Sequence, residues 1–198
     1  VHNENKYVFN CMNTDKICIF TDTGKMHTIK AVDIPLGRFR DKGTPVDNLS
    51  NYDSSQERML YVAPVGQLRS DRLLFVTKTS MCKLVEGAEF DVAKRTIAST
   101  KLADEDELIF IGSASEMEQI VLQSHGGCFL RFLTQEVSTM KKTALGVRGM
   151  KLADDDYLEH AYLLAGHQEY TISYHDKEYA LNKVRLAKRD TKGIKPRI

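Results

Sequence analysis

Tryptophan is absent from this chain, and proline occurs only four times in 198 residues. So few prolines exclude a proline-rich linker or a polyproline segment. Cysteine is equally sparse: Cys11, Cys18, Cys82 and Cys128 form no C-x-x-C pair, and the six histidines are scattered. That spacing speaks against a zinc cluster, which needs grouped ligands. The four thiols fall inside or beside predicted strands and are expected to be buried and free. No apolar run approaches the roughly 20 residues of a membrane-spanning helix. The first residues, Val1 to Lys6, are polar and contain no signal-peptide apolar core. Charge of one sign is also missing: 28 Lys and Arg against 27 Asp and Glu leave a net charge of +1. That is not the excess of a chain that coats itself in nucleic acid. G-x-S-x-G, P-loop lysine and H-E-x-x-H motifs are absent, which removes the commonest signals of hydrolytic or nucleotide chemistry. No long window keeps a 3.6-residue apolar period between caps, so an all-helical fold is excluded.

What the chain does have is a recurring unit of about 50 residues, a length that marks a repeat array. Each copy reads apolar strand, tight turn, second strand ending in a cation, then a basic patch. The copies run Ile17 to Lys30, Leu73 to Lys83, Ile120 to Arg131 and, more weakly, Tyr170 to Lys183. Asp22-Thr23-Gly24 and His125-Gly126-Gly127 are turn sequences, because glycine takes positive φ without steric cost. Further short runs rich in β-branched and aromatic residues, Tyr7–Met12, Leu108–Ile111 and Tyr157–Leu164, read as strands. Asn48 to Glu57 reads as a polar loop.

The register repeats as well. Gly43 follows Gly24 by nineteen residues, and Gly146 follows Gly127 by the same interval; Leu49 and Leu152 each lie twenty-five residues after those turn glycines. The second unit is shorter, with Leu102 twenty-two residues after Ser80, and the fourth lacks a turn glycine. We therefore expect one all-β domain over 1–198, a propeller-like set of four-stranded blades with repeats near 7–50, 71–112, 117–164 and 168–198. The set reads as a partial one: the chain opens on Val rather than Met and its last repeat is short, as in a portion of a longer protein.

Cations follow the second strand of every unit: Arg38, Arg40 and Lys42; Lys94 and Arg95; Lys141, Lys142 and Arg148; Lys188, Arg189 and Lys192. Small or turn-forming residues stand beside them, where a phosphate can approach both a cation and a backbone N–H. One such pair is an ordinary solvated surface. Four at equivalent places in a repeat line one rim of the assembled array, a surface for mostly electrostatic, sequence-independent binding of duplex DNA. Phe39, Phe90 and Phe132 flank the patches and are expected to pack between blades. The acidic runs Asp104–Glu107 and Asp154–Asp156 precede equivalent strands and read as solvated turns rather than a metal site. A protein-interaction propeller without nucleic acid would keep the repeat but has no need of the recurring cations.

Phe20-Thr21-Asp22-Thr23-Gly24-Lys25 with Ile29-Lys30, Asp33-Ile34-Pro35 and Asp41-Lys42-Gly43-Thr44-Pro45 resembles one blade of the C-terminal domain of the A subunit of bacterial DNA gyrase and topoisomerase IV. Gly146 to Leu152, Lys94-Arg95-Thr96-Ile97 and Lys192-Gly193-Ile194 fit the same register, from about Tyr7 to Ile194. The resemblance implies a β-pinwheel, a disc whose blades exchange strands with their neighbours. It also implies a non-catalytic domain that binds and bends DNA for an ATP-dependent type II topoisomerase. ATP and Mg²⁺ are then used by other parts of the assembly, and no cofactor is expected here. The implied partners are double-stranded DNA, the B subunit and the rest of the A subunit, with no membrane and a cytoplasmic, nucleoid-associated location. The Gln-Arg-Arg-Gly-Gly-Lys-Gly box of gyrase is absent. That points either to a first blade lying outside this chain or to a topoisomerase IV type of protein, the reading towards which the near-neutral charge leans.

Overall fold

The computed structural model describes residues 5–197; Val1–Glu4 and Ile198, the limits of the expected domain, lie outside them. The strands in chain order are β1 (Lys16–Thr21), β2 (Lys25–Lys30), β3 (Met59–Pro64), β4 (Arg72–Thr77), β5 (Met81–Glu86), β6 (Thr96–Ala98), β7 (Leu108–Ser113), β8 (Gln119–Ser124), β9 (Phe129–Leu133), β10 (Val147–Arg148), β11 (Leu158–Leu164), β12 (Thr171–Tyr174) and β13 (Lys177–Ala180). The only α-helices among the described residues are the single turns α1 (Val46–Leu49) and α2 (Val65–Leu68).

Each unit is built on a hairpin: β1–β2, β4–β5, β8–β9 and β12–β13, all antiparallel. The turn before the second strand needs a residue at positive φ. Gly24 and Gly127 supply it in the first and third units, and Ser80 takes φ 72° in the second. The fourth unit turns through His175 and Asp176, both at positive φ. Glycine is therefore preferred but not required there, and its absence does not abolish the fourth hairpin.

The sheets show why the repeat is not modular. The first sheet has the order β3-β1-β2-β6 and the second β10-β5-β4-β7. The hairpin and its inner neighbour come from one unit, but the outer strand comes from the next: β6 of the second unit closes the first blade, and β10 of the third closes the second. The third sheet, β11-β8-β9, receives its outer edge from the fourth unit through bridges Arg131–Leu186 and Phe129–Ile194. The fourth sheet holds only β12 and β13 among the described residues. The fold is thus the expected strand-exchanging pinwheel, with two complete four-stranded blades. At the opposite edge β3 touches β7 and β7 touches β11, so those strands gather at the shared centre and the exchanged strands lie outermost.

Strands of the first three hairpins are buried on both faces because each of those blades is sandwiched. Cys18, Phe20 and Met26 of the first blade pack on Leu73, Phe75 and Val85 of the second, with Phe90 between them. Leu74, Val76 and Leu84 turn the other way, onto Ile120, Leu122 and Phe132. A third cluster joins Val121 and Phe129 to Leu181 and Val184. Burying each such side chain contributes about 1.5–3 kcal/mol. Backbone bonds reinforce the order: Leu108 N donates to Asp22 O of the first blade's turn, and Leu158 N to Lys78 O of the second's, both at 2.9 Å.

Four expectations are corrected. Tyr7–Met12 is not a strand; it has the composition but no sheet edge, and Tyr7 is anchored by donating to Leu60 O at 2.9 Å. Cys11 lies on this stretch and is exposed, whereas Cys18 and Cys82 are buried and burial pushes both thiols up to about 12. Phe39 does not pack between blades: it is 89% exposed while Phe90 and Phe132 are fully buried. Two of the second strands, β5 and β9, also run past their expected terminal cations Lys83 and Arg131, so Lys83 sits inside β5, 1% exposed.

Candidate nucleic-acid interface

The exchanged segments carry the cations, which puts the basic patches on the outer edge. Lys94 and Arg95 lead into β6 and are held against β2 through their backbone. Thr28 N donates to Arg95 O at 2.8 Å and Thr28 Oγ1 to Lys94 O at 3.0 Å. Both side chains remain exposed. Lys141 and Lys142 stand in the turn before β10. Lys141 Nζ lies 3.4 Å from Glu89 Oε1, and Lys142 N donates to Glu89 Oε2 at 3.1 Å. Burial works against ionisation of Glu89, but the Lys142 N–H and the Lys141 ammonium outweigh it and hold the carboxyl below its usual range. Lys141 is exposed and Lys142 half-buried.

Gly146 explains the nineteen-residue interval. Its φ is +105°, and a Cβ there would lie 2.6 Å from Cys82 O on the blade that receives the strand. Gly193 approaches the third blade in the same way, 3.0 Å from Phe129 O. At Gly43 a Cβ would meet nothing within 4 Å. The first patch differs accordingly. Arg38, Arg40 and Lys42 lie on an exposed loop, closed by Asp41 Oδ2, which accepts from Arg38 N at 2.7 Å. That loop is paired to no sheet among the described residues.

The fourth unit's cations divide by role. Lys188 and Lys192 are exposed. Arg189 is half-buried and spends its guanidinium on the fold, donating to Glu136 O at 3.0 Å and Arg148 O at 2.6 Å. Arg148 is exposed but paired with Asp190. Two further cations bear on this edge, Lys101, which the sequence reading did not single out, and Lys83, read there only as the end of a second strand. Lys101 lies past β6, where it helps line a cleft of about 580 Å³ with Lys94, Ile97, Lys142 and Thr143. Lys83 lies beneath the neighbouring turn. Their signal was tertiary: neither belongs to a patch.

The acidic runs serve the hairpins. Asp106 accepts from Thr79 N and Oγ1 at 3.1 and 2.6 Å, and Asp156 accepts from Gly126 N at 2.9 Å. Glu57 holds the same place in the first blade, taking a bond from Thr23 Oγ1 at 3.0 Å. Among the described residues no group of three or more His, Cys, Asp or Glu side chains is placed to hold a metal. No described helix is long and apolar enough to cross a membrane.

Compared with known proteins, residues 15–54, 71–115 and 118–165 match the family described as DNA gyrase C-terminal domain, beta-propeller. The DNA gyrase A protein of Ureaplasma parvum is 27% identical over 184 residues, covering 90% of this chain and 22% of that protein. Its Salmonella typhimurium counterpart is 31% identical over 144 residues, 72% of this chain and 16% of that protein. The chain therefore spans less than a quarter of these relatives. The crystal structure of the C-terminal domain of DNA topoisomerase IV superposes with a TM-score of 0.82 at 24% identity, over 92% of this chain and 58% of that one. With three matched repeats covering more than half its length, this chain belongs to the DNA gyrase A C-terminal domain family.

Proposed function

We propose that this domain binds duplex DNA along its outer edge and bends it, as part of the A subunit of a bacterial type II topoisomerase. The observation that carries the reading is the strand exchange itself. Each outermost segment that closes a blade also brings exposed cations to that edge: Lys94 and Arg95, then Lys141, then Lys188 and Lys192. Cations spaced around a curved edge suit the phosphates of a bent duplex. Bending tens of base pairs costs on the order of 1–6 kcal/mol, which several phosphate contacts offset. The domain then supports strand passage without performing it. ATP and Mg²⁺ are used elsewhere in an assembly with the B subunit, in the cytoplasm at the nucleoid.

The test is fluorescence anisotropy of a labelled duplex of about 40 base pairs across a salt series, with a log–log slope near −0.9 per phosphate neutralised. The expected result is a steep slope that is the same for unrelated sequences. Lys94→Glu with Arg95→Glu should weaken binding without lowering the melting temperature, because both side chains are exposed. A salt-independent affinity, or no binding at low salt, would instead favour the protein-interaction propeller, a reading that the net charge of +1 supports.

A further inference from the structure

Lys83 is a buried cation that no patch accounts for. It is 1% exposed, in the middle of β5, with its ammonium 5.6 Å from the centre of the Phe75 ring. Its Nζ donates to Lys142 O at 2.8 Å and to Ala144 O at 2.6 Å. Both acceptors are main-chain groups of the turn that carries Lys141 and Lys142 into the second blade. A third bond braces the same turn from the first blade's side, where Lys101 N donates to Lys142 O at 3.1 Å. The two carbonyls point inward at the ammonium, so the Lys141 and Lys142 side chains emerge on the side facing the cleft and solvent.

We propose that Lys83 is a positioning residue for the DNA-binding edge: it fixes the main chain of Lys142–Ala144, and so presents Lys141 and Lys142 to phosphate, without touching DNA itself. The inference rests on the DNA-binding reading. Alternatives for the side chain are poor. A residue needed only to fill the space beside Phe75 has no use for a charge, and taking an ammonium out of water is costly unless its donors are satisfied. Here two are satisfied by the turn that the first blade also grips.

The charged groups facing Lys83 are few. Glu89 comes from the turn after β5, Lys141 and Lys142 from the exchanged segment, and Lys101 from beyond β6; on β4 its neighbour is the Phe75 ring. Burial lowers the Lys83 ammonium to about 8, partly countered by Glu89. The clamp is therefore mostly charged at pH 7 and largely neutral above pH 9, whereas exposed lysines stay charged until about pH 10.

The test measures duplex affinity of the intact chain at low salt from about pH 7 to about pH 9.5, a range below ordinary lysine titration. Wild type, Lys83→Met and Lys83→Arg are compared, each checked by thermal melting. Wild type should lose about threefold or more in affinity, centred near the titration of Lys83. Lys83→Met should bind weakly already at pH 7 and lack that step. Lys83→Arg keeps a cation throughout and should also lack it, which separates Lys83 from the α-amino group titrating in the same range. A wild-type affinity that stays flat over this range overturns the positioning role even if Lys83→Met fails to fold, and so does a folded Lys83→Met that binds as wild type. No binding by wild type at pH 7 overturns the DNA-binding reading itself, and the inference with it.

Discussion

His27 and Lys83 occupy the same place in successive hairpins, three residues after Gly24 and Ser80, and both reach into the segment donated by the next unit, His27 to its strand and Lys83 to the turn before it. His27 Nδ1 meets Thr96 Oγ1 of β6 at 2.9 Å, and its Nε2 lies 2.6 Å from Glu57 Oε1, in a pair whose side chains are 3% and 5% exposed. In the third blade the position is Leu130, which simply packs. Polar side chains at this position thus tie a blade to its donor in two of the three cases. Burial works against ionisation of Glu57, but hydrogen bonds from Thr21, His27 and the Asp53 backbone outweigh it and hold its carboxyl below 4.5. The sign follows: the folded form gives up its proton more readily than the unfolded chain. Its stabilisation is complete above pH 4.5 and is lost as pH falls through the lower folded value. Glu57→Gln should cost about 1–3 kcal/mol in urea unfolding at neutral pH, and the gap to wild type should narrow as pH falls below 4.5. A gap that persists in acid would mean that Glu57 acts through packing and not through charge.

At the scale of elements, hairpins were legible and exchanged strands were not, for a physical reason. The hairpin strands of the first three units are runs of five or six mostly buried residues, and their turns demand a positive φ, so composition and glycine placement both report them. β6 and β10 are three and two residues long, too short for any period. Their traces in the sequence were the stretches Lys94 to Ile97 and Gly146 to Leu152, which kept the repeat register, and the interval from Gly127 to Gly146, imposed by close approach to Cys82 O. Tyr7–Met12 failed in the opposite sense: it has strand composition but no edge to join. The cations were legible by recurrence, yet recurrence could not tell the exposed Lys94 from Arg189, whose donors are used inside the fold. Gly146 gives a contrast to measure. Gly146→Ala should destabilise by about 1–3 kcal/mol, because its φ is strained for Ala and its Cβ would collide with main chain. Gly43→Ala should stay within about 0.5 kcal/mol. Equal effects in chemical denaturation would show that the two glycines do not differ in docking.

For the whole molecule, the two ends of the array are unlike. The first unit's loop, equivalent to the donated segments, stands free with Leu36 105% and Phe39 89% exposed. Ile34 is 38% exposed, whereas Phe90, Val137 and Val184 in the corresponding stretches of later units are at most 3% exposed. Phe39→Ser should therefore leave unfolding within about 0.5 kcal/mol of wild type, while Phe90→Ala, between two blades, should cost about 3–5 kcal/mol. A large loss at Phe39 in the isolated chain would mean that the loop is docked in solution. The offset between chain order and blade order has a consequence for how such a disc changes size. Each unit brings one acceptor hairpin and one donor strand, so duplicating a unit adds both halves of a joint and deleting one removes both. Blade number can then drift in a lineage without any new contact being invented, and the arc of edge available to a ligand lengthens or shortens in whole steps.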